Sequence, residues 1–203
     1  MDLFTRFRSW RHRRRWNKRW GSDDHTPQWE IEGVAEPVRQ AVSDGWLKPG
    51  MSLLDIGCGR GDMAAWLAEA GFEVLGVDFS DNAIKLARHE HRVSQQLDFQ
   101  VVDVTKRGAL TRQFDGLVDR GCLHTLRDGL TQAYASNVAT WARTGTRFLL
   151  LMHYRNTTPE AREEQVRSLL EAEFELLDVQ PTRMDGPASK KEILGGAFRL
   201  VKR

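Results

Sequence analysis

The sequence predicts an α/β fold in which a mostly parallel sheet carries helices on both faces. Three observations predict it. Short apolar runs alternate along the chain with ten-to-fifteen-residue helical patterns, as consecutive β–α–β units require. The first of those runs closes in a glycine-rich turn, Gly57-Cys58-Gly59-Arg60-Gly61, that opens a helix. Finally, 40% of the 203 residues are hydrophobic and 29% are charged, enough for a packed core in about one domain. That balance excludes disordered, collagen-like and disulfide-stapled classes. The longest uninterrupted apolar runs, Met63 to Ala68 and Phe148 to Met152, are far short of the ~18 residues of a spanning helix.

The elements follow in order. A helical pattern covers roughly Gly33 to Asp44, and Pro49-Gly50 marks a turn. Ser52–Ile56 is a short buried strand. Asp62–Ala70 is helical, with Met63, Trp66, Leu67 and Ala70 on one face. Glu73–Val77 is the second strand, and Ser80 caps a helix to about Arg92. Asp98–Val102 and Phe114–Val118 are strands, and Asp128–Arg143 is a helix between them and the most apolar strand, Thr146–His153. Thr158-Pro159 reads as an N-cap followed by proline at N1, opening a helix to about Ala172. Phe174–Val179 and Ala197–Val201 are the last two strands. A turn-rich stretch with Pro181, Gly186 and Pro187 joins them in place of a helix, so they are expected to pair antiparallel at the edge.

Charge is unevenly spread. Residues 1–20 hold eight basic residues and one acid, Asp2, whereas residues 21–203 hold 22 basic and 27 acidic ones. Residues 1–28 therefore read as a basic aromatic tail and linker, with the domain over residues 29–203. Arginines interleaved with Phe4, Phe7, Trp10, Trp16 and Trp20 suit an anionic membrane surface, single-stranded nucleic acid, or an arm folded over the site. The tail is expected to be separable from the fold. It lacks the continuous apolar core of a secretory signal. The two cysteines, Cys58 and Cys122, have no zinc-like spacing, which favours a reduced, cytoplasmic protein, peripheral at a membrane if the tail binds one.

The strongest local signal is Leu53-Leu54-Asp55-Ile56-Gly57-Cys58-Gly59-Arg60-Gly61. Glycines there permit a tight turn and close approach of backbone to a ligand. Asp78 ends the next strand 17 residues after Gly61, where a carboxylate can accept from the ribose hydroxyls of an adenosine group. A dinucleotide fingerprint would have G-x-G-x-x-G with pyrophosphate at the helix start. Here position 62 is Asp, which repels a pyrophosphate and tolerates a ligand bearing sulfonium and ammonium cations.

With these motifs the sequence resembles the class I S-adenosylmethionine-dependent methyltransferases over roughly residues 29–203. The resemblance implies a Rossmann-like seven-stranded sheet with an antiparallel last strand. The first motif matches as Asp55 to Gly61, the ribose acid as Asp78 with Phe79 beside it, and the adenine-facing acid as Asp103, followed by Val104. The fourth-strand motif, Asp119-Arg120-Gly121-Cys122-Leu123-His124 with Tyr134 downstream, is similar to the branch containing thiopurine, thiol and halide methyltransferases. That branch places a tryptophan ahead of the first helix near the ligand, for which Trp29 is the counterpart. Its usual Pro-Gly-Gly turn before the fifth strand is altered here to Arg143-Thr144-Gly145-Thr146. The implied donor-binding set is Trp29, Asp55, Gly57, Cys58, Gly59, Gly61, Asp78, Phe79, Asp103, Val104, Asp119 and Arg120.

Methyl transfer is an in-line displacement, so alignment matters most, and a base helps only an acceptor that must lose a proton. His124 after the fourth strand and His153 ending the fifth are the candidate catalytic groups, with Asp119 paired to Arg120 shaping the pocket. Each histidine can equally serve as a structural edge residue. Cys122 reads as a packed thiol. His89-Glu90-His91 does not read as a metal site, because histidines two apart do not share a helical face. The expected reaction is methylation of a small-molecule thiol, halide or related soft nucleophile by a monomer. The alternatives are an N- or O-methyltransferase of a small metabolite or lipid, a nucleic-acid methyltransferase recruited by the tail, and a donor-binding protein without catalysis. Against the nucleic-acid alternative, the fourth strand is not followed by Asn/Asp-Pro-Pro and an aromatic residue.

Overall fold

The structure, a computed structural model, describes residues 13–21, 33–126, 129–184 and 192–203. Helix α1 occupies residues 13–20. It is followed by α2 (Glu36–Ser43), β1 (Ser52–Ile56), α3 (Asp62–Glu69), β2 (Glu73–Asp78), α4 (Asp81–Glu90), β3 (Leu97–Val101) and β4 (Phe114–Arg120). A 3-10 turn (Leu123–Thr125) leads to α5 (Leu130–Trp141), β5 (Ala142–His153), α6 (Pro159–Leu170), β6 (Phe174–Arg183) and β7 (Leu194–Lys202). One sheet of seven strands has the order β3-β2-β1-β4-β5-β7-β6. The strands from β3 to β5 pair parallel. β7 runs antiparallel to both β5 and β6, which makes the last strand the reversed one.

Period-two alternation builds a core on each face. Leu54 and Ile56 of β1, with Phe148, Leu150 and Met152 of β5, pack toward Tyr134, Val138 and Trp141 of α5 and Val166 and Leu170 of α6. Leu53 of β1 and Leu149 and Leu151 of β5 face the other way, onto Val38 and Ala41 of α2, Ala64 and Leu67 of α3, and Ile84 and Ala87 of α4. Two helix starts are fixed by their caps. The Ser80 hydroxyl accepts from Ala83 N at 3.2 Å, and the Thr158 hydroxyl accepts from Ala161 N at 3.2 Å ahead of Pro159.

Three strands extend by three or more residues beyond the bounds the sequence implies. β5 begins at Ala142 because the altered turn is held inside it. Thr146 Oγ1 accepts from Arg143 N at 2.9 Å and donates to Phe114 O at 2.7 Å, and the register against β4 shifts there. β6 continues through Pro181 to Arg183 and β7 starts at Leu194. β6 is an edge strand, and an edge tolerates a residue without an N–H.

α1 lies inside the stretch assigned to the tail, on the N-terminal side of the 28/29 boundary. Arg13, Asn17 and Trp20 recur at helical spacing, and that face meets the domain. Arg13 pairs with Asp81 at 2.6 Å, Ser80 Oγ donates to Asn17 Oδ1 at 2.6 Å, and Asn82 donates to the Asn17 carbonyl at 2.9 Å. Phe4, Phe7, Trp10 and Trp29 lie outside the described residues. Among the described residues, no helix is long and apolar enough to cross a membrane.

Candidate active site

The carboxyl ends of β1, β2, β4 and β5 open into a cleft of about 760 Å³, within the size range of small-ligand sites. The glycine turn forms its floor. Gly57 N and Cys58 N both donate to Val77 O, at 2.8 and 3.0 Å, which ties the turn to β2. Gly59 and Gly61 have φ of 57° and 89°, in the region that favours glycine. A Cβ on Gly59 would lie 2.9 Å from the Trp20 ring, and one on Gly61 would lie 2.6 Å from Phe99. Gly59 thus keeps the floor open beneath α1, whereas Gly61 serves packing and lies below the cleft lining.

Asp78 ends β2 with its carboxylate held from both sides. Gly59 N donates to Oδ2 at 3.3 Å and Ser80 N donates to Oδ1 at 2.8 Å. A carboxylate oxygen can accept more than one hydrogen bond, and Asp78 lines the cleft. Burial raises its pKa to about 6 despite those donors. Phe79 lines the cleft beside it. Asp103 also lines the cleft, its Oδ1 accepting from Thr105 N at 3.0 Å and Thr105 Oγ1 at 2.6 Å. Asn137 of α5 donates to Val104 O and Lys106 O, at 2.9 and 3.0 Å, and so holds the loop that carries Asp103 and Val104.

Asp55 is the electrostatic anomaly. It is 1% exposed and lines the cleft, and neither carboxylate oxygen has a hydrogen-bond partner. Burial, and then the negative charges of Asp119 and Asp78, raise its pKa to about 8, against the pull of Arg120. An orphaned buried carboxyl is costly unless a ligand completes it. A cationic group entering the cleft does so, and the residues present therefore fit a donor carrying ammonium and sulfonium charges.

Asp119 lies behind the cleft lining, fully buried. Its oxygens accept from Cys122 N at 2.7 Å, Leu123 N at 3.0 Å and Tyr134 Oη at 2.6 Å. It therefore shapes the 3-10 turn that presents His124, and its neighbour Arg120 is the member that reaches the cleft. His124 and His153 stack with centroids 3.9 Å apart and planes inclined by 29°. Both Nδ1 atoms are buried without a partner. Burial first, then His153 and the cations of Arg162, Arg120 and Arg155, depress His124 to about 3. His153 is lowered by burial and by Arg162 and Arg155.

Burial and the surrounding carboxylates push the thiols of Cys58 and Cys122 well above the ordinary cysteine value, which leaves both unreactive. Asp62, Glu90 and His91 place ligand atoms within 4.8 Å of one another. The Arg60 guanidinium sits among them, 2.6 Å from Glu90 and 3.4 Å from Asp62, and supplies the positive charge there. His89 takes no part in that cluster.

Trp16 and Trp20 line the cleft from α1, which agrees with the arm folded over the site among the three uses read for the tail, whereas sequence reasoning missed Arg155, Arg162 and Met184 as lining residues. The four-residue spacing of the two tryptophans was the available signal for α1. Arg162 carried none, because an arginine in an amphipathic helix ordinarily reads as solvated.

The sheet order, the glycine turn, the carboxylate that ends β2 and the orphaned Asp55 fit an S-adenosylmethionine-dependent methyltransferase. Solved structures of this fold hold S-adenosylmethionine or S-adenosylhomocysteine. The thiopurine S-methyltransferase family model matches residues 11–197, and the chain belongs to that family. It is 30% identical over 155 residues to a thiopurine S-methyltransferase of Azotobacter vinelandii, covering 67% of this chain and 68% of that protein. It is 23% identical over 167 residues to the 2-heptyl-1-hydroxyquinolin-4(1H)-one methyltransferase of Mycobacteroides abscessus, covering 78% of this chain and 73% of that one. Its fold matches, with a TM-score of 0.81 at 19% identity, a protein solved for the conversion of a disulfide bond into a thioacetal group during echinomycin biosynthesis, covering 94% of this chain and 92% of that chain.

Proposed function

We propose that the enzyme methylates a small-molecule thiol, halide or related soft nucleophile. The observation that carries this reading is the pair of imidazoles at the acceptor end. A general base works best with a pKa near the working pH. His124, at about 3, is far too weak a base, and neither Nδ1 has the carboxylate partner that would strengthen it. Such a site suits an acceptor that arrives already ionised.

S-adenosylmethionine supplies a methyl group made electrophilic by its sulfonium. The chain's own residues do the rest. Asp78 accepts from ribose hydroxyls, Asp103 borders the adenine end, and Asp55 meets positive charge. Trp16 and Trp20 of α1 cover the floor and exclude water, while His124 and His153 form the neutral wall against which the acceptor is aligned. One relative named for a hydroxyl-bearing heterocycle, and others named as phosphoethanolamine N-methyltransferases, favour a second reading, transfer to oxygen or nitrogen.

Separate His124→Gln and His153→Gln variants distinguish the two. Steady-state rates on the best acceptor are expected to fall by less than about tenfold, because only alignment is disturbed. A fall of about a hundredfold or more, with donor affinity intact, would overturn the soft-nucleophile reading and indicate a base.

A further inference from the structure

The acceptor end of the cleft holds a buried positive charge that the donor-binding residues do not use. Arg162, in the first turn of α6, is 9% exposed and lines the cleft, and its Nε is buried without a partner. Its one side-chain hydrogen bond goes to the neutral Gln165, at 2.5 Å. Arg155, on the loop after β5, lines the same wall. Among the described residues, neither guanidinium has an ion-pair partner. Beside them stand His124 and His153, both neutral, with Met184 supplying an apolar surface. A guanidinium removed from water costs free energy unless an anion meets it.

We propose that Arg162, assisted by Arg155, forms an anion subsite, and that the acceptor is a small apolar molecule carrying a negatively charged group besides the atom that receives the methyl. The inference rests on the small-molecule, soft-nucleophile reading above and adds a specificity element to it. Guanidinium meets a carboxylate with paired, charge-assisted hydrogen bonds. It also anchors the acceptor at a fixed distance from the histidine wall, so that alignment, the main task of the site, is set by charge.

The test uses two aryl thiols that differ by one carboxylate, thiophenol and 4-mercaptobenzoate. Their shared aromatic ring acidifies both thiols, so at about pH 8 the comparison isolates the remote charge. The intact enzyme is expected to favour 4-mercaptobenzoate in kcat/KM by about tenfold or more. Arg162→Gln should reduce that preference to within about threefold, Arg162→Lys should retain part of it, and affinity for S-adenosylhomocysteine should be unchanged in both. Benzoate, which has no thiol, should bind the enzyme–S-adenosylhomocysteine complex in calorimetry and lose that binding in Arg162→Gln. Equal use of the two thiols without benzoate binding would overturn the subsite and leave the soft-nucleophile reading standing. Benzoate binding with neither thiol methylated would overturn that reading and leave the subsite standing. Loss of S-adenosylhomocysteine affinity in a folded Arg162→Gln protein would assign the arginine to the donor's own carboxylate and overturn the proposal.

Discussion

Asp55 and Asp78 sit at the ends of neighbouring parallel strands, and their surroundings give them different work. Asp78 is oriented by the Gly59 and Ser80 amides at the edge of the cleft. Asp55 has no such donors, and its charge is incomplete without a ligand. Asp78→Ala is expected to weaken S-adenosylhomocysteine by about tenfold or more in calorimetry, the value of ~1.5–3 kcal/mol for hydrogen bonds to a charged group. Unchanged affinity would remove Asp78 from the donor site. Both aspartates were legible in the sequence, because each lies at the carboxyl end of a short apolar strand. Asp119 was legible as important, but its role was not. Sequence shows that an acid precedes Arg120, and only packing shows its carboxylate spent on the turn amides and Tyr134.

At the scale of elements, α1 alters what the basic segment means. Its Asn17 and Arg13 engage the start of α4, and its Trp20 lies against the glycine turn. The separable stretch is therefore expected to end before residue 13. Removing residues 1–12 should leave donor affinity within a few-fold, whereas removing residues 1–20 should lower it by about tenfold or more and shift the fluorescence of the remaining tryptophans on ligand binding. Equal affinity in the two truncations would show that α1 contributes nothing to the donor site. Periodicity revealed strands and helices whose faces alternate cleanly, such as β1 and α4. It did not reveal α1, because eight basic residues in twenty mask a short contact face built from Arg, Asn and Trp.

Across the whole molecule, three carboxyls in the core of the site, Asp55, Asp78 and Asp119, have pKa values raised to about 8, 6 and 6 from an ordinary value of 3.8. Between those limits the ligand-free folded protein holds more protons than the unfolded chain. Its stability is therefore fully present below the unfolded value and is lost as pH rises through the folded values. Thermal unfolding without ligand is expected to move to lower temperature from about pH 5 to pH 8. Asp55→Asn should flatten the upper part of that slope. Added S-adenosylmethionine, by offering cations to the ionised carboxylates, should raise the midpoint more at pH 8 than at pH 6. A ligand-free midpoint that climbs across this range would contradict the arrangement. The fold class and the antiparallel pairing of the last two strands were readable from alternation and turn chemistry, and the seven-stranded sheet from the family resemblance. The charge balance was not, because it depends on which strands are neighbours, and β1 meets β2 and β4 only through crossovers.

Cys122 lines the cleft, over Gly57 of the glycine turn, in an enzyme that binds an alkylating agent. A thiolate there would compete with every acceptor and would consume the enzyme in a single turnover. Burial keeps the proton on this sulfur, and the carboxylates of Asp119, Asp78, Asp103 and Asp55 around it add to the effect. The depth at which the sulfur is packed, helped by its acidic neighbours, thus spares the protein from becoming its own substrate.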